Sequence, residues 1–262
     1  MSKVVDNKHI FSFRSSGLKS FLINGSTSNK IDPNGDDIEI GLDKTLTNRL
    51  ITVLRMKSGS VIELFDDEVR CTAVINIINR QLFVAISPKT IRNIDPLMPE
   101  VNLHFGLLKT RESNESVLES CTLFGVCNIF PILSDKSQGE WNTKKDRYMN
   151  VLTAAMEQSK QYKMPSIHEP KTFNDWSRSF KHTATSTNMF CDFDEQSIPI
   201  SQVPIHPQNQ INILVGPEGD FTNREKHKIL SLGFNRTMLS SISVLRSTEA
   251  IKLALGFVRC VR

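Results

Sequence analysis

The chain has 262 residues, of which 39% are hydrophobic and 23% charged, with a formal net charge of +4. That composition is ordinary for a globular protein, and the length favours two domains over one. No run approaches the roughly 20 consecutive apolar residues of a membrane helix, and Lys3, Asp6, Lys8, His9 and Arg14 interrupt the amino-terminal stretch, so no membrane association and no secretory signal are expected. A cytoplasmic protein is the expectation. The mild positive charge permits a polyanionic partner without demonstrating one. Cysteines 71, 121, 127, 191 and 260 are odd in number and dispersed, without the close spacing of zinc ligands, so reduced thiols and no metal site are expected.

Residues 1–17 lack periodicity and read as a tail or an extra edge element. Leu46, Leu50, Val53 and Leu54 then recur at helical spacing, and Ser58-Gly59 closes that segment as a turn. Val61, Glu63 and Phe65 alternate with Ile62, Leu64 and Asp66, and Asp66-Asp67 offers a turn before the runs Val69–Ile78 and 82–86. Residues 18–90 therefore predict a small β-barrel carrying one helix. Pro88, Pro96 and Pro99 cannot donate to a sheet ladder, and 91–100 is placed as the linker. From residue 101 to 262 the pattern alternates: strands at 101–107, 128–133, 188–193 and 211–215, and helices at 115–124, 144–161 and 222–232. Such alternation argues for the α/β class, a mostly parallel sheet covered by helices. His104 and Cys121 lie on apolar stretches and read as core residues.

The most informative stretch is 211–256. An apolar strand runs directly into Gly216-Pro217-Glu218-Gly219, and a helix follows whose start carries the capping-box pair Thr222 and Glu225 and whose stop is Gly233. In a parallel α/β sheet the ligand crevice lies outside the carboxyl ends of the strands, so this glycine-bearing loop is placed to meet a ligand. A plain strand-to-helix turn with an exposed glutamate is the alternative, since glycine and proline are common turn residues. After a short strand ending at Leu239 and the polar loop 240–243 comes Val244-Leu245-Arg246-Ser247-Thr248-Glu249-Ala250, leading into a final apolar helix.

This succession resembles the RsmE family of ribosomal RNA uridine-N3 methyltransferases. Its marks are Val-Gly-Pro-Glu-Gly-Asp-Phe, a helix ending near Leu-Gly-Phe, and a closing Leu-Arg-Ser-Thr-Glu-Ala. Val53-Leu54-Arg55-Met56-Lys57 with Gly59 and Leu64-Phe65-Asp66 resembles the family's PUA-like RNA-binding domain. Phe124-Gly125-Val126, Pro131-Ile132, Ser137, Ala155-Met156-Glu157-Gln158-Ser159 and Met164-Pro165 fall in the expected order. The resemblance implies a carboxy-terminal SPOUT domain with a deep trefoil knot, S-adenosyl-L-methionine as cofactor, a homodimer, and 16S rRNA or the assembling small ribosomal subunit as partner. It implies cofactor binding by Gly216, Glu218, Gly219, Leu239, Ser240 and Leu245, and RNA binding by Lys19, Arg55, Lys57, Lys109 and Arg111.

Transfer of methyl to uridine N3 needs the nitrogen deprotonated, with the charge spread onto the flanking carbonyls. Arg246 is the candidate to stabilise that anion, and Glu249 or Glu218 the candidate base. Arg246 pairing with a glutamate, Glu249 complementing a helix dipole, and Arg55 and Lys57 as a solvated helix end stand as alternatives. Glu157 and Gln158 divide between pocket and solvent. The sequence also departs from the family, which reads Leu-Arg-Thr-Glu-Thr-Ala where this chain has its glutamate one place later, a shift of about 100° around a helix. Ser120, Leu123 and Gln161 replace family charges, and Ser240 stands where glycine is usual. A methyltransferase for another rRNA or tRNA nucleotide, or a non-catalytic RNA-binding protein with a vestigial pocket, remain competing readings.

Overall fold

The computed structural model describes residues 5–6, 14–15, 18–22, 38–41, 47–65, 68–78, 81–141, 145–159 and 161–260. Before residue 47 it describes backbone only, and the side chains of residues 49, 81, 145, 146 and 157 are likewise not described. Leu46, the Asp66-Asp67 turn and the side chains of Lys19 and Glu157 therefore lie outside the described residues. The chain divides into two compact units, 1–96 with 153–162, and 97–152 with 163–262.

The first unit is a mainly antiparallel sheet. Its strands are β1 (Val5–Asp6), β2 (Arg14–Ser15), β3 (Leu18–Leu22), β4 (Ile38–Gly41), β5 (Val61–Phe65), β6 (Val69–Ile78), β7 (Gln81–Ile86) and β8 (Arg92–Asn93). Among the described residues they pair in the order β1-β4-β7-β6-β5-β3-β2, with β8 on β6. Alternation along β5 to β7 buries Ile62, Leu64, Cys71, Ala73, Ile75, Leu82, Val84 and Ile86 in one core with Leu50. The helical signal at 46–54 materialises as a short π-type turn, Arg49–Val53. Tyr162 closes the unit, its hydroxyl donating to Glu63 (3.2 Å) and accepting from Arg70 (3.2 Å). The expected linker 91–100 is instead partly structured: Arg92–Asn93 pairs antiparallel with β6, and Glu100 opens the next strand. Arg92 and Asn93 retain the N–H groups that the neighbouring prolines lack.

The second unit is α/β. Strands β9 (Glu100–Gly106), β10 (Asn128–Leu133), β11 (Ser166–Ile167), β12 (Lys171–Thr172), β13 (Thr187–Cys191), β14 (Ile198–Pro199), β15 (Gln210–Val215) and β16 (Asn235–Met238) form a sheet in the order β11-β10-β9-β15-β13-β16-β14, with β12 on β10. Each of these pairings is parallel. Helices α1 (Arg111–Leu123), α3 (Phe173–Ser179), α4 (Asn223–Ser231) and α5 (Ser247–Cys260) connect or follow the strands, and α2 (Lys145–Ser159) belongs to this unit up to residue 152. Helix α1 starts four residues before its expected position because the Thr110 hydroxyl accepts from Ser113 N–H and caps it. The short α3 and the two-residue strands carry too few residues for a periodic signal.

Period-two alternation sorts the sheet into unlike faces. Val101, Leu103, Phe105, Ile129, Met189, Ile211, Ile213 and Val215 point into one core. Helix α5 joins that core with Ala250, Ile251, Ala254, Leu255 and Val258, an i, i+4, i+8 stripe, and packs beside α1. On the opposite face the carboxyl half is apolar, with Ile132, Phe190 and Leu214 under Phe173, Trp176, Phe221, Ile229 and Phe234. The amino half carries a row of carboxamides in matching register: Asn128, Asn102, Asn212 and Asn188. Asn128 donates to Asn102 (2.8 Å), Asn102 to Asn212 (3.1 Å) and Asn212 to Asn188 (2.8 Å).

His104 is buried one row further along. The Trp176 indole N–H donates to its Nδ1 at 3.1 Å, so the ring's proton sits on Nε2, 3.5 Å from Asn212 Oδ1. Burial pushes the His104 imidazole down to about 3 from its ordinary 6.5. Between those values the unfolded chain takes up a proton that the folded chain refuses. Stability from this group is therefore full above pH 6.5 and declines as pH falls toward 3, by up to about 1.4 kcal/mol per pH unit. The His104 ring resonance, followed by NMR, should stay that of neutral imidazole down to pH 5. A midpoint near the ordinary histidine value would contradict the placement.

Candidate methyl-donor pocket

Two loops leave the carboxyl ends of strands on either side of β13. One is 216–219, after β15; the other is 239–246, between β16 and α5. Together with the end of β13 they wall a cavity of about 700 Å³, a size typical of sites for small organic ligands. The wall is part apolar, from Leu108, Val215, Pro217, Leu239 and Leu245, and part polar, from Asp192, Glu218, Ser240 and Arg246.

The 216–219 loop is fixed by close packing and by a carboxylate. A Cβ at Gly106, the last residue of β9, would stand 2.7 Å from Pro217 N, so glycine there is what lets the loop lie against the strand end. Both Glu218 carboxylate oxygens accept from the Lys109 N–H at 3.1 Å. The segment presenting that N–H is held in turn by fully buried Asn114, whose side chain accepts from Leu108 N–H (3.1 Å) and donates to the carbonyls of Leu108 (3.0 Å) and Thr110 (3.1 Å). Downstream, Asp220 adopts φ 59° and its N–H donates to Pro217 O at 2.9 Å. The Thr222–Glu225 capping box then starts α4, and buried Glu225 also accepts from Asp135 N–H at 3.0 Å. Gly233 stops that helix at φ 83°.

Beside the pocket runs an ion-pair network. Lys226 Nζ lies 2.8 Å from Asp192 and 2.6 Å from Asp220, and Arg236 reaches Asp192 (3.3 Å) and Asp194 (2.9 Å). Burial pulls the Lys226 ammonium down, but hydrogen bonds from Asp192 and Asp220 leave it above its ordinary value. Asp192, 4% exposed, is thereby held in the pocket wall between two cationic side chains. Burial also pushes the Cys191 thiol up to about 12, so this wall residue is no nucleophile at neutral pH.

The candidate residues divide by place. Gly216, Glu218, Leu239, Ser240, Leu245 and Arg246 line the pocket; Gly219 and Glu249 do not. Arg246 is exposed, and among the described residues no carboxylate makes an ion pair with it. Glu249 accepts from the Thr248 hydroxyl at 2.8 Å, and that bond, with its own helix-start N–H, holds the carboxyl below its ordinary value. The Ser240 hydroxyl accepts from Ile242 N–H (3.3 Å) and Ser243 N–H (3.4 Å), folding the longer loop onto itself. Lys109 is exposed beside Glu218, while Arg111 pairs with Glu112 (3.2 Å) and Glu115 (3.5 Å). Arg55, at φ 50°, and Lys57 are exposed on the first unit. Gln158 is exposed. Gly106, Asn114 and Asp192 were not singled out from the sequence: a strand-terminal glycine three residues before a basic pair was the available signal for the first, and none marked the other two.

Residues 95–259 match the family model described as RNA methyltransferase domain. The chain belongs to this family. Two ribosomal RNA small subunit methyltransferase E proteins are similar over most of their length. That of Buchnera aphidicola subsp. Schizaphis graminum is 25% identical over 83% of this chain and 91% of its own, and that of Mesomycoplasma hyopneumoniae 26% over 83% and 92%. A crystal structure of the Neisseria gonorrhoeae methyltransferase E bound to S-adenosyl methionine superposes with a TM-score of 0.77 at 18% identity, covering 93% of this chain and 97% of that one. The methyltransferase domain's fold thus agrees with the motif-level resemblance. Among the described residues no helix is long and apolar enough to cross a membrane, and no group of three or more His, Cys, Asp or Glu is arranged to hold a metal ion.

The Glu218 tie gives a direct expectation. In Glu218→Ala the Lys109 amide loses its acceptor and should exchange its hydrogen about tenfold faster or more, with global stability little changed. In Glu218→Gln the amide oxygen restores the acceptor and exchange returns toward wild type. Equal protection in all the variants would show that the contact does not hold the loop.

Proposed function

We propose that this protein transfers a methyl group from S-adenosyl-L-methionine to N3 of a uridine in 16S rRNA, in the cytoplasm, as a homodimer acting on the RNA or on the assembling small subunit. The observation that carries the reading is the shared pocket: the 216–219 loop and the 239–246 segment, separated in the chain by α4 and β16, wall one cavity that an exposed arginine also lines. The relatives' name supplies the small-subunit ribosomal RNA, and the motif resemblance supplies uridine N3. The part-apolar wall with backbone groups from both loops suits a cofactor with a flat heterocycle and a flexible polar tail. The trefoil knot belongs to this reading as well. Strand β16 lies beyond β13 in the sheet, yet α5 packs against α1, so the chain after Met238 must return across the carboxyl edge.

When bound, the cofactor supplies a methyl carbon made electrophilic by its positively charged sulfur. The chain's residues do the rest. Arg246 faces the place where negative charge develops on the uracil carbonyls as N3 loses its proton, and a fixed cation there favours the anion. Glu218, in the wall, is assigned to receive that proton; Glu249, outside the wall and stabilised in its ionised form, is not. The N3 lone pair would then accept the methyl, with a neutral thioether as the leaving group, while the 216–219 and 239–246 loops would hold donor and base in line. Positioning and electrostatics suffice, and the lining contains no group that must form a covalent bond.

Purified protein should bind S-adenosylmethionine by calorimetry and methylate 16S rRNA from a strain lacking the enzyme. Arg246→Ala should keep that affinity within a few-fold and lose about 100-fold or more in kcat. Equal rates for the two proteins would remove the assignment of Arg246. Methyl mapped to a base other than uridine would favour the alternative substrate, and an absence of cofactor heat would favour a binding protein.

A further inference from the structure

The carboxamide row opens on a second cavity, about 300 Å³, at the amino end of the parallel sheet. It lies at the opposite strand ends from the methyl-donor pocket. Asn102, Asn128 and Asn212 line it, with His104, Phe130, His168 and Trp176, while Lys171 and Lys181 stand at its rim.

Each carboxamide has two N–H groups, and the row spends one of them on the next asparagine. The second N–H on Asn102 and Asn212 lies with its buried residue at the cavity wall and makes no further hydrogen bond among the described residues. Buried donors of this kind ask for an acceptor from whatever fills the space. The rings add a direction. His104 stacks on Phe130 (centroids 4.5 Å apart, planes 9° apart), and Phe130 stacks on His168 (4.2 Å, 12°). His168 is exposed, so the stack of parallel rings ends on a ring that solvent reaches and that can take one more. Donors at the wall, a planar platform and rim ammonium groups match the parts of a nucleotide: carbonyl edge, heterocycle and phosphate.

We infer that this cavity is a second nucleotide site, holding the base of an unpaired pyrimidine of RNA away from the place of methyl transfer. Uracil suits it because both exocyclic atoms are acceptors for amide N–H donors. At about 300 Å³ the space suits one base, the low end of small-molecule sites. Glu169 at the rim and Glu100, which accepts from Gln210 at 3.0 Å, oppose added negative charge, so the phosphate belongs on the lysine side. The choice of a nucleotide rests on the reading of the protein as an RNA-modifying enzyme.

Trp176 reports on the cavity directly. The chain has two tryptophans, so Trp141→Phe leaves Trp176 as the sole indole. Uridine and uridine 5′-monophosphate should each quench its fluorescence saturably, and the signal should persist in excess S-adenosylmethionine and in Arg246→Ala. Adding Lys181→Glu, a change at an exposed side chain, should weaken the monophosphate about fivefold or more and leave uridine unchanged. No saturable quenching up to the solubility limit, quenching that the cofactor abolishes, or equal weakening of both ligands would each overturn the inference. Failure of the cofactor itself to bind would instead strike the proposed function, and calorimetry on the same protein separates the two.

Discussion

The closeness of Pro217 to Gly106 is the constraint on which the pocket depends. A parallel sheet brings the ends of β9 and β15 side by side, but a side chain at residue 106 would hold the following loop away. With glycine there, the proline seats against the strand end, Glu218 comes within reach of the Lys109 N–H, and Asn114 holds the far side of that segment from inside α1. The loop is thus rigid through contacts made before any ligand arrives. Rigidity of this kind lowers the ordering cost of binding.

The second wall is built differently. Residues 239–246 make few ties to the rest of the unit; Ser240 folds the loop on itself, and Ile242 and Val244 are 92% and 73% exposed. What fixes this segment is its two ends, β16 in the sheet and α5 in the core beside α1. One wall is preset and the other is free to adapt. That division places Arg246, whose helix is anchored but whose side chain is exposed, where it can reach a substrate without losing its backbone position.

Much of this was legible in the sequence, for definite reasons. Alternation marked β5, apolar runs marked β6, β7, β9, β10, β15 and α5, and local chemistry marked the Thr222–Glu225 box and the stop at Gly233, because each acts within a few residues. The shared pocket was legible only through the order of motifs from Gly216 to Ala250, since nothing local says that two loops meet. What stayed hidden acts across the sheet: Pro217 on Gly106, Asp192 held by Lys226 and Arg236, and the asparagine row. Single asparagines at 102, 128, 188 and 212 carry no signal until strand register aligns them. Glu249 illustrates the reverse case. Its offset by one residue from the family pattern is visible in the sequence, and in the structure it lies outside the pocket wall.

The central claim is that both loops close on a single methyl donor. A crystal structure of the protein grown with S-adenosylmethionine tests it most directly. The account predicts the ligand between residues 216–219 and 239–246, touching backbone groups of both, with Arg246 free to face the solvent side. Density for the cofactor elsewhere, or in contact with only one of the two segments, would contradict it.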